Sequence, residues 1–177
     1  TRSAETANGS GDASTFNDSE GVLMAEISAL ANDGEYKIIS IKNSSSNAYE
    51  NTLGIMYTNL SNQLLAVYRV GTSSLVLLTY DINSSMTNSK VCFKYKSGDF
   101  AMWVDGFEVG QSANTTMLPN GTLNEILFSR SDNSSPFYGN TKQLQYYDTT
   151  LTDSDLETLT SWVSFTDMAE SQLYSVE

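Results

Sequence analysis

The side chains that could perform chemistry in this chain are few in kind. The sequence contains no histidine and a single cysteine, Cys92. Histidine is the usual general base and a common metal ligand. Its absence, with one cysteine, excludes a Ser-His-Asp triad, a Cys-His pair, His-containing zinc sites, cysteine-ligated iron–sulfur clusters and an internal disulfide. A carboxylate pair or a calcium site remains as the chemistry that the sequence allows.

The densest carboxylates stand at Asp153, Asp155 and Glu157. Thr152 and Asp155 have the spacing of a capping box, and acidic residues in a first helical turn favour the helix dipole. This spacing predicts a helix start, so these carboxylates are interpreted as capping groups and not as a catalytic pair.

Single aspartates also occur in predicted loops or turns, where this residue is ordinary turn chemistry. They are Asp33, Asp81, Asp99, Asp105 and Asp132. No Asp-x-Asp-x-Asn run marks a calcium loop. No metal ligand is therefore assigned and no cofactor is predicted, and calcium stays open as an unassigned alternative.

Aromatic rings and amides are the remaining candidates, because a sugar stacks its apolar face on a ring and pairs its hydroxyls with amides. The candidates for carbohydrate binding are Trp103, Tyr57, Tyr68, Tyr138 and Asn133, with Tyr80 as a further ring. Aromatic residues in alternating strands are more often core or cross-strand pairs, and that alternative stays open for each. Trp103 is preferred because it lies opposite the Phe100–Val104 face; if that face is core, Trp103 lies on the outer surface or in a groove.

Short strand-like runs must position these residues. They occur at 22–27, 36–41, 52–58, 63–70 and 75–82, separated by Gly, Asn or Ser. A hairpin series follows at 90–109, where Asp105-Gly106 is suited to a type I′ turn. Many short strands with turn residues between them predict an antiparallel sandwich or barrel.

The ends of the chain differ from this pattern. Residues 1–19 are small and polar, which predicts an arm or linker before a domain at 20–165. After Thr152, the residues Leu156, Leu159, Trp162 and Val163 share one face at helical spacing, which predicts a short C-terminal helix. Residues 166–177 are interpreted as a tail.

The charge of the chain restricts its partners. Its 177 residues carry a net charge of −12, and the basic residues are mostly scattered singly. Nucleic acid and anionic membrane surfaces both require clustered basic residues, so neither is an expected partner. No apolar run approaches the roughly 18 residues that span a bilayer, so membrane insertion is not expected.

Two segments carry a resemblance to a known superfamily. The hairpin Lys94-Tyr95-Lys96-Ser97-Gly98-Asp99-Phe100-Ala101-Met102-Trp103-Val104-Asp105-Gly106 resembles that of the concanavalin A-like, laminin G-like jelly rolls. Phe137-Tyr138-Gly139, Leu144-Gln145-Tyr146-Tyr147-Asp148 and Leu151-Thr152-Asp153-Ser154-Asp155-Leu156 are similar to its closing strand and helix. The likeness implies an all-β, two-sheet antiparallel jelly-roll sandwich with a short C-terminal helix.

The resemblance also has implications for function. Glucanases of this superfamily need a Glu-x-Asp-x-x-Glu strand, which is absent, so an enzyme is not predicted. Phe16–Leu23 and Lys96–Ala101 look most like jelly-roll domains at the C-terminal ends of tailed-phage virion proteins, in tail fibres or head decoration. A virion-surface, extracellular module that binds a host-cell glycan or receptor is therefore expected, with a homo-oligomer as its state.

Two alternatives stay open. One is a structural virion or filament subunit, or a decoration protein, that acts by self-assembly with other virion proteins. The other is a secreted bacterial carbohydrate-binding adhesin.

Overall fold

The computed structural model describes residues 11–46, 48–164 and 166–167. Residues 1–10 of the predicted arm and residues 168–177 of the predicted tail lie outside this part. The described elements are β1 (Glu20–Ala29), β2 (Lys37–Lys42), β3 (Thr52–Tyr57), β4 (Gln63–Val70), β5 (Ser73–Asp81), β6 (Ser89–Lys96), β7 (Phe100–Val104), β8 (Phe107–Ser112), β9 (Glu125–Leu127), β10 (Gly139–Tyr147) and α1 (Asp153–Thr160).

The strands form two antiparallel five-stranded sheets that pack face to face. Sheet A has the order β10-β1-β6-β7-β8, and sheet B has the order β5-β4-β3-β2-β9. The predicted all-β sandwich with a short C-terminal helix is confirmed. Asp105 and Gly106 have φ angles of 51° and 90°, so the predicted turn with two positive φ angles joins β7 to β8.

Alternation along the strands sorts side chains between the core and the outer faces. Leu23, Ile39, Ile55 and Phe93 are fully buried between the sheets and belong to the main apolar cluster. Their neighbours along each strand point outward. There α1 covers part of sheet A, and the irregular segments 43–51 and 128–138 are bonded to sheet B through Ser40 and Lys42.

The helix α1 covers part of the outer face of sheet A. Its N-terminus has the predicted capping box, in which Thr152 and Asp155 exchange hydrogen bonds. Leu156 is fully buried against Val22, Met24 and Trp103. Residues 166–167 are also helical, and no helix of the described residues is long and apolar enough to cross a membrane.

The helix is shorter than its apolar pattern predicts. It ends at Thr160, so Trp162 and Val163 follow it and do not extend its buried face. Val163 is 91% exposed, whereas the ring of Trp162 packs against the ammonium of Lys90 at 4.6 Å. The amide of Ser161 bonds to the carbonyl of Glu157, which closes the last turn.

The folded unit includes residues before the predicted boundary at residue 20. Phe16 is buried and meets the ring of Tyr146 edge-on, with ring centroids 4.9 Å apart. The carboxylate of Asp18 accepts hydrogen bonds from the backbone amides of Gly121, Thr122 and Leu123. Residues 16–18 therefore pack against the sandwich instead of forming part of a free arm.

Candidate functional site

Two of the tyrosines selected from the sequence lie in the core. Tyr57 is 3% exposed, and its hydroxyl donates to the carbonyl of Ile27 at 3.1 Å. Tyr68 is fully buried, and its hydroxyl accepts a hydrogen bond from the amide of Leu118 at 2.8 Å. Burial raises the pKa of Tyr68 to about 12. Both rings therefore serve the packing of the sandwich, which is the common role of aromatic residues in alternating strands.

Trp103 lies on the outer face of sheet A, as its alternation with Met102 and Val104 predicts. The expectation that it would be exposed is corrected, since only 8% of it is accessible. Leu156 of α1 and its apolar neighbours cover the ring. A helix that returns across the sheet therefore occupies the surface that the strand pattern assigned to solvent.

The other two candidates are accessible. Tyr138 is 59% exposed and lies beside Leu30, whose amide bonds to the carbonyl of Tyr138 at 3.1 Å. Asn133 is exposed in a tight turn, with a φ of 63°, and its amide bonds to the carbonyl of Arg130 at 2.7 Å. Asn133 thus stands beside a group of residues that the sequence did not single out.

That group is the Tyr49 cluster, which consists of Tyr49, Arg69, Arg130, Asp132 and Tyr36. The guanidinium carbons of Arg69 and Arg130 lie 4.2 Å and 4.7 Å from the centre of the Tyr49 ring. Tyr36 is 42% exposed and lies near enough to influence the pKa of both Tyr49 and Arg130. Two cations separated by 61 positions in the sequence thus share one aromatic ring.

Sheet B carries Arg69 toward solvent. Arg69 follows the buried Tyr68 on β4, and the pairing of β4 with β5 shifts register between these two residues. Such an irregularity changes the direction in which a side chain points. The guanidinium donates to the carbonyls of Tyr49 and Thr72 and to the hydroxyl of Ser74. These bonds fix the orientation of the head and leave N–H groups available, since arginine has five.

A turn after β9 supplies Arg130 to the same cluster. Its Nε and Nη2 donate to Asp132 at 2.9 Å and 2.6 Å in a two-bond pair. Asp132 also accepts from the amide and hydroxyl of Ser134 at 3.0 Å and 2.7 Å. These bonds hold the pKa of Asp132 well below its usual range, the bond from Arg130 having the largest effect.

Lys42 holds the two segments that carry Tyr49 and Arg130. Its buried ammonium donates to the carbonyls of Ser46 and Ser131, each at 3.0 Å. The hydroxyl of Ser131 bonds to the carbonyl of Ala48 at 3.1 Å. The site is therefore preorganised by backbone anchoring on the outer face of sheet B.

The two arginines differ in their charge balance. Arg130 is paired with Asp132, whereas Arg69 has no carboxylate partner within the part of the chain that the structure describes. A half-buried guanidinium without a counter-charge favours an anion from outside. The exposed Leu77 lies opposite Val67, two residues along β4 from Arg69, and adds an apolar surface beside the cations.

Sequence reasoning missed this cluster because its members lie far apart in the sequence and none of them belongs to a motif. A signal was nevertheless present, since the chain has only three arginines, Arg2, Arg69 and Arg130. Arginine is the residue best suited to planar two-bond recognition of carboxylates. What the sequence did not contain was the path of the loops that bring Arg130 to Arg69.

No group of three His, Cys, Asp or Glu that could hold a metal ion occurs among the described residues.

Solved structures match this architecture. CBM40 of Ruminococcus gnavus IT-sialidase has a TM-score of 0.70 at 15% identity, with 91% of this chain and 97% of that chain covered. The fold is a concanavalin A-like jelly roll. A SAP-like pentraxin from Limulus polyphemus matches with a TM-score of 0.62 at 17% identity, over 82% of this chain and 71% of that chain.

A leech intramolecular trans-sialidase also matches, with a TM-score of 0.62 at 15% identity, over 84% of this chain but only 24% of that chain. No protein-family model and no curated protein sequence matches the chain. At these identities the likeness establishes the fold, and the site is argued from the chain's own residues.

Proposed function

We propose that this jelly roll is a non-catalytic glycan-binding module whose Tyr49 cluster binds a sugar that carries a carboxylate. The observation that supports this most strongly is Arg69, a half-buried cation without a carboxylate partner among the described residues, held against the same ring as Arg130. The ligand's carboxylate accepts hydrogen bonds from Arg69, and its ring and substituents lie against Tyr36 and Leu77.

The charge of the chain makes this cluster significant. With a net charge of −12, the protein as a whole repels an acidic ligand, so binding requires a local excess of cations. Within the cluster, Arg69 and Arg130 face a single carboxylate, that of Asp132. The cluster therefore keeps one positive charge, which one acidic group of a ligand would balance.

The structural neighbours support the same class of ligand. CBM40 of Ruminococcus gnavus IT-sialidase has been solved bound to alpha2,3 sialyllactose, and this form matches the chain with a TM-score of 0.68 at 14% identity. Sialyllactose is a glycan that carries one carboxylate. We therefore propose sialylated or similarly acidic glycans as the ligands.

The proposal includes no bond cleavage. A glycosidase places two carboxyl groups on either side of the scissile bond, about 5 to 9.5 Å apart. The Tyr49 cluster has one carboxylate, which is locked to Arg130 and Ser134 and is kept ionised by them. It can position a ligand but lacks the proton donor that hydrolysis requires.

Calorimetric titration with 3′-sialyllactose, with lactose as the uncharged comparison, tests the proposal. We expect 3′-sialyllactose to bind and lactose to bind much more weakly. Arg69→Gln removes charge-assisted hydrogen bonds of about 1.5–3 kcal/mol, so it lowers affinity by roughly 10- to 100-fold. Lys142→Gln is the matched control, since Lys142 is a half-exposed cation paired with Glu26 on the outer face of sheet A.

Two results would count against the proposal. One is equal binding of 3′-sialyllactose and lactose, because recognition would then not involve the carboxylate. The other is an equal loss of affinity in Arg69→Gln and Lys142→Gln, because the effect would then reflect net charge and not the Tyr49 cluster.

We further propose that the module acts on the surface of a phage virion, where it contacts the host cell. The resemblance of Phe16–Leu23 and Lys96–Ala101 to phage virion jelly rolls supports this setting. Immunogold labelling of purified particles with an antibody against this chain is expected to mark the particle surface. Absence of the chain from purified particles would refute the setting without affecting the proposed ligand.

A further inference from the structure

A groove at one end of the sandwich has a composition unlike that of the Tyr49 cluster. It lies between the end of β5, the loop that follows it and the turn between β7 and β8, and its volume is about 110 Å³. The residues that line it are Tyr80, Asp81, Ile82, Asn83, Ser84, Thr87, Ser89 and Asp105. Among these described lining residues none is cationic, so the groove offers nothing to an acidic group.

The groove combines a ring with hydrogen-bond acceptors. Tyr80 is 39% exposed and is the one aromatic residue in the lining. Asp81, the next residue, points to the outer face of sheet B, where its Oδ1 accepts a hydrogen bond from Gln63 at 3.0 Å. Asp105 closes the opposite wall. A stacking surface opposite a carboxylate acceptor is suited to a pyranose, which has an apolar face and several hydroxyl donors.

The loop that forms one wall is fixed before any ligand enters. The carbonyl of Asn62 accepts from the amide of Ile82 at 2.8 Å, and its Oδ1 accepts from the amide of Ser85 at 3.0 Å. Its Nδ2 donates to the carbonyl of Asn83 at 3.3 Å. Asn62 thus anchors the loop at three points, which lowers the entropy that binding must remove.

The opposite wall is equally constrained. Oδ1 of Asp105 accepts from the amide of Lys90 at 2.9 Å, and the amide of Asp105 donates to the carbonyl of Lys90 at 3.0 Å. Burial raises the pKa of Asp105, and hydrogen bonds from Lys90 and Ser89 oppose that rise. Ligand hydroxyls would add donors to a carboxylate that has already lost much of its water.

We propose that this groove is a second saccharide-binding site, which holds a neutral pyranose by stacking on Tyr80 and by hydrogen bonds from hydroxyls to Asp105. The site is separate from the Tyr49 cluster. Gln63, which bonds to Asp81, and Arg69 stand at opposite ends of β4, about 20 Å apart at the rise of a strand. The two sites also select opposite ligand chemistry.

The test uses neutral probes that the arginines cannot hold by charge. Methyl glycosides of galactose, glucose and mannose are titrated to about 10 mM, a range suited to weak single-sugar sites, while backbone amide NMR signals are followed. At least one probe is expected to shift the signals of residues 80–89. Tyr80→Ala and Asp105→Asn should each weaken that binding about tenfold, and Tyr138→Ala should not change it. Tyr138 is the matched control because it is an exposed tyrosine outside the groove.

The outcomes separate this proposal from the proposed function. Arg69→Gln should leave neutral binding unchanged while it weakens 3′-sialyllactose binding. If none of the three probes shifts the groove signals, or if Tyr80→Ala and Asp105→Asn leave the shifts unchanged, the groove is not a saccharide site. Neither of those results affects the argument for the Tyr49 cluster.

Discussion

Asp132 limits how strongly the Tyr49 cluster attracts an acidic ligand, because it already holds Arg130 through two hydrogen bonds. A ligand carboxylate beside Arg130 would lie near this internal carboxylate. For two charges about 6 Å apart at an effective dielectric constant of about 50, Coulomb's law gives a repulsion of about 1 kcal/mol. Asp132→Asn should therefore increase affinity for 3′-sialyllactose about fivefold.

The same substitution should lower stability. Side chains of the Arg130–Asp132 pair are 35% and 23% exposed, so the pair contributes about 1 kcal/mol at most. For a domain of 177 residues, that loss lowers the melting temperature by about 2–4 °C. An increase in affinity together with a decrease in stability is therefore the expected signature of a carboxylate that competes with the ligand.

Calorimetric titration at low salt and a thermal melt measure the two effects. Asp148→Asn is the control, since it makes the same change in net charge at an exposed residue that follows β10. If Asp132→Asn melts earlier but binds 3′-sialyllactose no better than wild type, Arg130 does not face the ligand's carboxylate. If Asp148→Asn gives the same gain in affinity, the effect is one of overall charge.

Three further predictions concern stability. Leu156→Ala should lower the unfolding free energy by about 2–5 kcal/mol and shift Trp103 fluorescence to the red, because Leu156 is fully buried against that ring; an unchanged melt and spectrum would contradict this. Gly106→Ala should destabilise by about 1 kcal/mol or more in denaturant titration, since its φ is 90° and a Cβ would lie 2.9 Å from Oγ of Ser161. The pKa of Asp132 is lowered in the folded state, so its stabilisation is present above the unfolded-state value of about 3.9 and is lost as pH falls below it. Melts from neutral to acid pH should show a smaller acid loss in Asp132→Asn than in wild type.

Much of the fold could be predicted from the sequence because its signals are local. The runs at 52–58 and 63–70 correspond to β3 (Thr52–Tyr57) and β4 (Gln63–Val70). The Asp105-Gly106 turn and the Thr152 capping box depend on neighbouring residues, and both have the predicted geometry. The burial of Trp103 could not be predicted in the same way, because it depends on where a distant helix packs.

The Tyr49 cluster could not be predicted for the same physical reason. Arg69 has a strand position that periodicity identifies, but Tyr49 and Arg130 lie in irregular segments. Hydrogen bonds from the side chains of Ser131 and Lys42 to backbone carbonyls set the course of those segments. Periodicity contains no information on such bonds. Of the five residues selected from the sequence, Asn133 alone adjoins the cluster, through its bond to the carbonyl of Arg130.

Strand β5 runs from the neighbourhood of Arg69 to the groove, which predicts how the domain would bind a longer glycan. Leu77 and Thr79 point outward along β5 after the neighbourhood of Arg69, and Tyr80 points to the other face at the end of the strand, where it lines the groove. A glycan long enough to span about 20 Å can place an acidic end at Arg69 and a neutral sugar on Tyr80, and the second contact then forms at high effective concentration. Such a glycan should bind at least tenfold more tightly than 3′-sialyllactose in calorimetric titration. Tyr80→Ala should remove that gain and leave 3′-sialyllactose affinity unchanged; a gain that persists in Tyr80→Ala would mean that the added sugars contact some other part of the surface.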